Sequence, residues 1–142
     1  MAISFPYKVE KVKDGLVLRP KIPIVLSYDG KSTDVMALVD SGSDISVIPR
    51  GLAGYLGLEL GGKTYEIEGV GGKKIEVINS FVNLTLRRGS EVHRIAQLPV
   101  EIPLRDEDQR GDIILGRHTF FDEFNIIFRQ NERRIALEKV RR

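Results

Sequence analysis

Apolar and polar positions alternate along most of this chain with a period of two, the spacing of half-buried strands. Tyr7 to Val12 alternates apolar and charged residues, Asp14-Gly15 marks a turn, and Leu16 to Ser27 carries another extended run. Pro20 and Pro23 predict that part of this run is bent or lies at an edge, because proline has no N–H for a ladder. Asp29-Gly30 predicts a hairpin turn into a strand from Asp34 to Val39. Thr64 to Glu68 and Lys73 to Val77 read as two strands around the tip Gly69-Val70-Gly71-Gly72. Longer strands follow, Ile75 to Leu86 interrupted by Asn79-Ser80, and Val92 to Ile102 beyond a turn at Arg88-Gly89-Ser90. Pro99 and Pro103 mark an edge or an exit. Asn125 to Phe128 and Arg134 to Val140 form a last hairpin. Helical spacing is confined to short pieces: Pro49 to Leu56, with Leu52, Ala53 and Leu56 on one face, and Arg117 to Phe124, with Phe120, Phe121 and Phe124 facing the core.

One stretch breaks the alternation. Val35 to Val39 is a continuous apolar run, long enough for a buried strand, and it closes on Asp40-Ser41-Gly42. Aspartate is a poor strand former and costly to bury, so a carboxylate in this place needs donors around it, which Ser41 and the amides of a glycine turn can supply. A second apolar stretch, Ile113-Ile114-Leu115, ends on Gly116-Arg117.

Length and charge narrow the alternatives. The 142 residues are expected to form a single domain, 1–142. There is no cysteine, which removes disulfides, thiolate metal sites and a cysteine nucleophile. His93 sits alone in an alternating strand, so no metal is expected. The N-terminus lacks a basic segment leading into an apolar one, and no apolar run approaches the length of a membrane span. These features point to a soluble, cytoplasmic protein with no membrane partner. A formal charge of +2 gives no reason to expect nucleic acid, and the run Arg105 to Asp112 reads as a solvated loop.

Apolar-apolar-Asp-Ser-Gly followed by small, acidic and apolar residues resembles the active-site loop of retropepsin-like aspartic proteases. The later Ile-Ile-Leu-Gly-Arg resembles the segment that completes the loop crossing in that family. The glycine-rich tip between them is similar to the flap of retroviral proteases. The resemblance spans about Lys31 to Phe128. It implies an all-β, retropepsin-like closed β-barrel with one or two short helices, and an aspartic endopeptidase that cleaves peptide substrates without a cofactor.

Carried over residue by residue, the resemblance makes Asp40 the catalytic carboxylate. Ser41 braces the loops, Gly42 offers its carbonyl to substrate backbone, and Asp44 holds substrate main chain. Gly69, Val70 and Gly71 form the flap tip, Gly116 supports the loop, and Arg117 pairs with Asp44. Ile45, Val47 and Val70 are expected to line pockets for apolar side chains. Asp-Ser-Gly occurs once, and 142 residues are too few for two lobes, so the resemblance implies a homodimer with Asp40 from each copy. Lys73-Lys74 departs from the more apolar flap flank of the family. The two-stranded tail departs from the single terminal strand of the viral enzymes, although the DNA-damage-inducible family also continues past this point. The N-terminal segment could be a removable pro-piece or a structural strand. Two rival classes remain: a module of this fold that binds peptides or dimerises without hydrolysis, and a nucleic-acid-binding barrel suggested by Arg141-Arg142.

Overall fold

The computed structural model describes residues 2–105 and 111–141, with every side chain among them except that of Val70. The N-terminal strand β1 (Ala2–Pro6) leads into a hairpin, β2 (Lys8–Val12) and β3 (Gly15–Arg19). Pro20 then breaks the extended run, so β4 (Lys21–Tyr28) is a separate strand. Asp29 and Gly30 both take positive φ, 45° and 84°, the conformation that a tight hairpin requires. β5 (Lys31–Val39) therefore starts directly after the turn, earlier than the alternation predicts. The remaining strands are β6 (Ser46–Val47), β7 (Thr64–Glu68), β8 (Lys74–Arg88), β9 (Glu91–Pro103), β10 (Ile113–Leu115), β11 (Phe124–Arg129) and β12 (Arg134–Lys139).

Six strands close a barrel in the order β4-β5-β10-β6-β9-β8, with β8 returning to β4 through Val25–Thr85, Leu26–Leu84 and Ser27–Asn83. Alternation fills its interior. Ile22, Ile24 and Leu26 point inward from β4, and Val82, Leu84 and Leu86 do so from β8. On β9 the buried set slips from Ile95 to Leu98, Val100 and Ile102. The slip is a β-bulge at Gln97, held at φ 56° with its N–H donating to Asn83 Oδ1 at 3.1 Å. Sequence alternation alone does not reveal such an inserted residue. Burying each such aliphatic side chain is worth about 1.5–3 kcal/mol over leaving it exposed.

A second sheet, ordered β1-β12-β11, gathers the two ends of the chain. Ile3 and Phe5 of β1 pack in the same core as Phe124, Ile135 and Leu137, so the N-terminal segment is a structural strand here. The helix α1 (Arg50–Leu56) buries Ala53 and Leu56, and it ends on Gly57 at φ 81°, the left-handed geometry that glycine adopts without steric cost. β8 runs straight through Asn79-Ser80, where the sequence predicts an interruption. The helix expected from Arg117 to Phe124 is instead one wide, irregular turn over Arg117–Phe121, broken by Thr119 at φ 72° and ψ −53°. Its phenylalanines still reach the core, with Phe120 and Phe124 buried.

Among the described residues the β2–β3 hairpin makes no ladder with either sheet. It is tied by charge. The buried Lys21 donates to Glu10 Oε2 and to Asp112 Oδ1, each at 2.7 Å. Burial works against the Lys21 cation, but these two bonds outweigh it and hold its pKa above the ordinary lysine value. The Lys21 bond likewise holds Glu10 below the ordinary glutamate value. Asp112 is therefore not part of a simply solvated loop, while the predicted loop at 106–110 lies outside the described residues. Among the described residues no helix is long and apolar enough to cross a membrane.

Candidate active site

β5 delivers Asp40 to the first position past its end. The ladder continues one step past the strand, with the Asp40 N–H donating to Leu115 O at 3.0 Å. The chain then turns sharply: the Ser43 N–H donates to Asp40 O at 3.2 Å, and the Gly42 N–H donates to Asp40 Oδ1 at 2.9 Å. A Cβ on Gly42 would lie 3.2 Å from Asp40 Oδ1, so glycine leaves room for the carboxylate and aims an amide at it.

Beneath this turn passes the segment that begins as β10. β10 runs parallel to β5, pairing Ile113 with Ala37 and Leu115 with Val39, and antiparallel to β6. Past Leu115 its backbone amides bond the underside of the Asp40 loop. The Gly116 N–H donates to Ser46 Oγ at 3.0 Å, Arg117 N–H to Ser43 O at 2.8 Å, and His118 N–H to Asp44 O at 2.8 Å. The crossing is so close that a Cβ on Gly116 would lie 2.5 Å from Ile45 O and 2.9 Å from Ser43 O. No side chain fits there. Ser46 is buried, and its hydroxyl is the acceptor that satisfies the Gly116 amide.

Arg117 reaches back to form an ion pair between its Nη2 and Asp44 Oδ1, and both groups are largely exposed. These two residues, with Ile45, His118 and Asp122, line an open groove beside the loop. Asp40, Ser41, Gly42, Asp44, Gly116 and Arg117 thus meet in one crossing of two segments. Gly69, Val70 and Gly71 form the tip of the β7–β8 hairpin. There Gly71 and Gly72 take φ 79°, and the Gly69 N–H donates to Lys73 O at 2.6 Å.

Register adds Leu38, Ile114 and Glu101, which sequence reasoning missed, to Val47, which it named. Leu38 pairs with Ile114, Ile114 with Val47, and Val47 with Glu101. Directly paired residues share a face of the sheet, so these four form a row. Strand alternation places Asp40 on the Leu38 face. All five are half-buried, whereas the alternate residues Val39, Leu115, Ser46 and Val100 are buried inside. The row is an apolar wall beside Asp40 that ends in a carboxyl group. Burial, with the negative charge of Asp44 adding to it, pushes the Glu101 pKa above the ordinary glutamate value. Of the missed residues, only Ser46 left a local sign, a lone hydroxyl between Ile45 and Val47. Among the described residues no group of three or more His, Asp or Glu is placed to hold a metal ion.

Residues 24–119 match the model of a family described as aspartyl protease. That span runs from β4 through the crossing beneath Asp40, and leaves out β1 to β3 and the final hairpin. No curated protein matches the chain. Among solved structures the chain is similar to the crystal structure of a retropepsin-like aspartic protease from Rickettsia conorii. The TM-score is 0.61 at 16% identity, over 96% of this chain and 89% of that one, a likeness of fold.

Proposed function

Because this chain belongs to the aspartyl protease family, we propose that it is an endopeptidase whose two copies each contribute Asp40 to one active site. The observation that carries this reading is the Asp40 turn. A half-buried carboxylate at a strand end, with the Gly42 amide on its Oδ1, is supported from below by a crossing that only Gly116 allows.

Peptide hydrolysis by this chemistry needs two carboxyl groups facing one water. One, ionised, takes a proton from the water as it attacks the peptide carbonyl, and the other, protonated, donates to the carbonyl oxygen. Two carboxylates in contact cannot both ionise cheaply, so the pair holds one proton in common. Asp-Ser-Gly occurs once in the chain, and a second copy related by a two-fold axis supplies the other Asp40. In this reading Ser41 braces the two turns, while the Gly42 carbonyl and Asp44 hold substrate backbone. The β7–β8 tip, Gly69-Val70-Gly71, closes over the peptide as a flap. Gly116 and Arg117 fix the loop from beneath.

Incubation with a diverse peptide mixture from acid to neutral pH, read by mass spectrometry, tests the proposal. Cuts made by the wild type and absent with Asp40→Asn are expected. A folded dimer that makes no Asp40-dependent cut at any pH overturns it and leaves a binding module of the same fold.

A further inference from the structure

The wall beside Asp40 is apolar until its last member. Leu38, Ile114 and Val47 offer only carbon, and then β9 places Glu101 directly beside Val47 on the same face. A glutamate here is costly. It is half-buried, and among the described residues its carboxyl has no hydrogen-bond or ion-pair partner. The guanidinium of Arg117 is already committed to Asp44, and that of Arg50 donates to Leu104 O. A ligand lying along this wall covers Glu101 further and must either pair with it or leave it desolvated and unpaired.

We propose, resting on the protease reading above, that Glu101 is a specificity-determining residue that selects a lysine or arginine side chain at the substrate position seated on Val47. The long alkyl stem of such a side chain suits Val47 and Ile114, and its cationic head reaches the carboxyl at the end of the row. Burial makes Glu101 harder to ionise in the empty site, and Asp44 adds negative potential to that effect. A cation reverses that balance by favouring the ionised carboxyl. An acidic side chain meets like charge, and an apolar one strips water from Glu101 without replacing its bonds. The sequence-based expectation of apolar pockets named Ile45, Val47 and Val70, and did not foresee the carboxyl group that stands directly beside Val47.

The test compares wild type, Glu101→Gln and Glu101→Leu on a peptide library, with Asp40→Asn as control and thermal unfolding to establish that each variant folds. The wild type is expected to favour lysine or arginine over leucine at one position near the cut by roughly tenfold in kcat/KM. Glu101→Gln loses that preference, and Glu101→Leu reverses it towards apolar residues. Identical profiles for all three, or a wild type that rejects basic residues throughout, overturn this inference alone. The absence of any Asp40-dependent cut overturns the protease reading and this inference with it.

Discussion

At Gly116 a single hydrogen atom in place of a Cβ decides whether two segments can cross. Gly116→Ala brings a methyl to 2.5 Å from Ile45 O, and backbone cannot yield as a side-chain tip can. A loss of about 3 kcal/mol or more in urea denaturation is expected, in the range of severe core overpacking. Ser46→Ala is milder in shape but leaves the Gly116 amide without its acceptor, at a cost of about 1–3 kcal/mol. Glu101 makes a prediction of opposite sign. Its folded pKa is raised, so its contribution to stability is full below the unfolded glutamate value and is lost as pH rises through the folded one. Glu101→Gln is therefore expected to raise Tm at neutral pH and to leave it little changed in acid, as read by thermal unfolding at both. Gly42 was visible in the sequence because the demand on it arises within one turn, whereas Gly116 was visible only through the resemblance of its motif, since the backbone that forbids a Cβ there belongs to Ser43 and Ile45. Glu101 was not, because its place beside Val47 exists only once β9 lies parallel to β6.

Among the elements, the β2–β3 hairpin is linked by charge, through Glu10 and Lys21, to Asp112. Among the described residues it has no ladder to the sheets, and Val9 and Leu16 are exposed on it. Glu10 carries its link to Lys21, and its lowered pKa contributes stability that is present above about pH 4.3, the unfolded glutamate value. That contribution is lost as pH falls through the lowered folded value. Amide exchange in β2 and β3 is expected to accelerate in that acid range before exchange in the barrel does. In Lys21→Met the early acid loss disappears, because the hairpin is already released. Equal protection of hairpin and barrel in the variant would refute the tether. The strand alternation made most barrel elements legible, and it failed where geometry departs from a period of two. The bulge at Gln97 shifts the buried phase of β9. Thr119 at φ 72° converts an amphipathic helical spacing into an irregular turn, with the Asp122 side chain accepting its N–H. No local propensity announces either, since both are imposed by what the segment must pack against.

For the whole molecule, the closed barrel was legible from alternating strands, the Asp-Ser-Gly turn and the Ile-Ile-Leu-Gly-Arg segment taken together. The role of β1 was not, since its pairing with β12 joins opposite ends of the chain. If one active site needs two copies, specific activity should fall on dilution as dimers separate, and sedimentation should show dimer wherever cleavage is seen. Cleavage by a protein that sediments only as monomer would exclude the shared site. The crossing beneath Asp40 also bears on how the molecule comes into being. Asp44 and Arg117 are 73 positions apart, and the parallel pairing of β5 with β10 spans a similar stretch. Long-range parallel pairing forms slowly, after more local hairpins. During synthesis the Asp40 turn leaves the ribosome well before the segment that must pass under it. A nascent chain therefore carries Asp40 without a floor, and the turn can take its final shape only after Gly116 has been made and threaded into place.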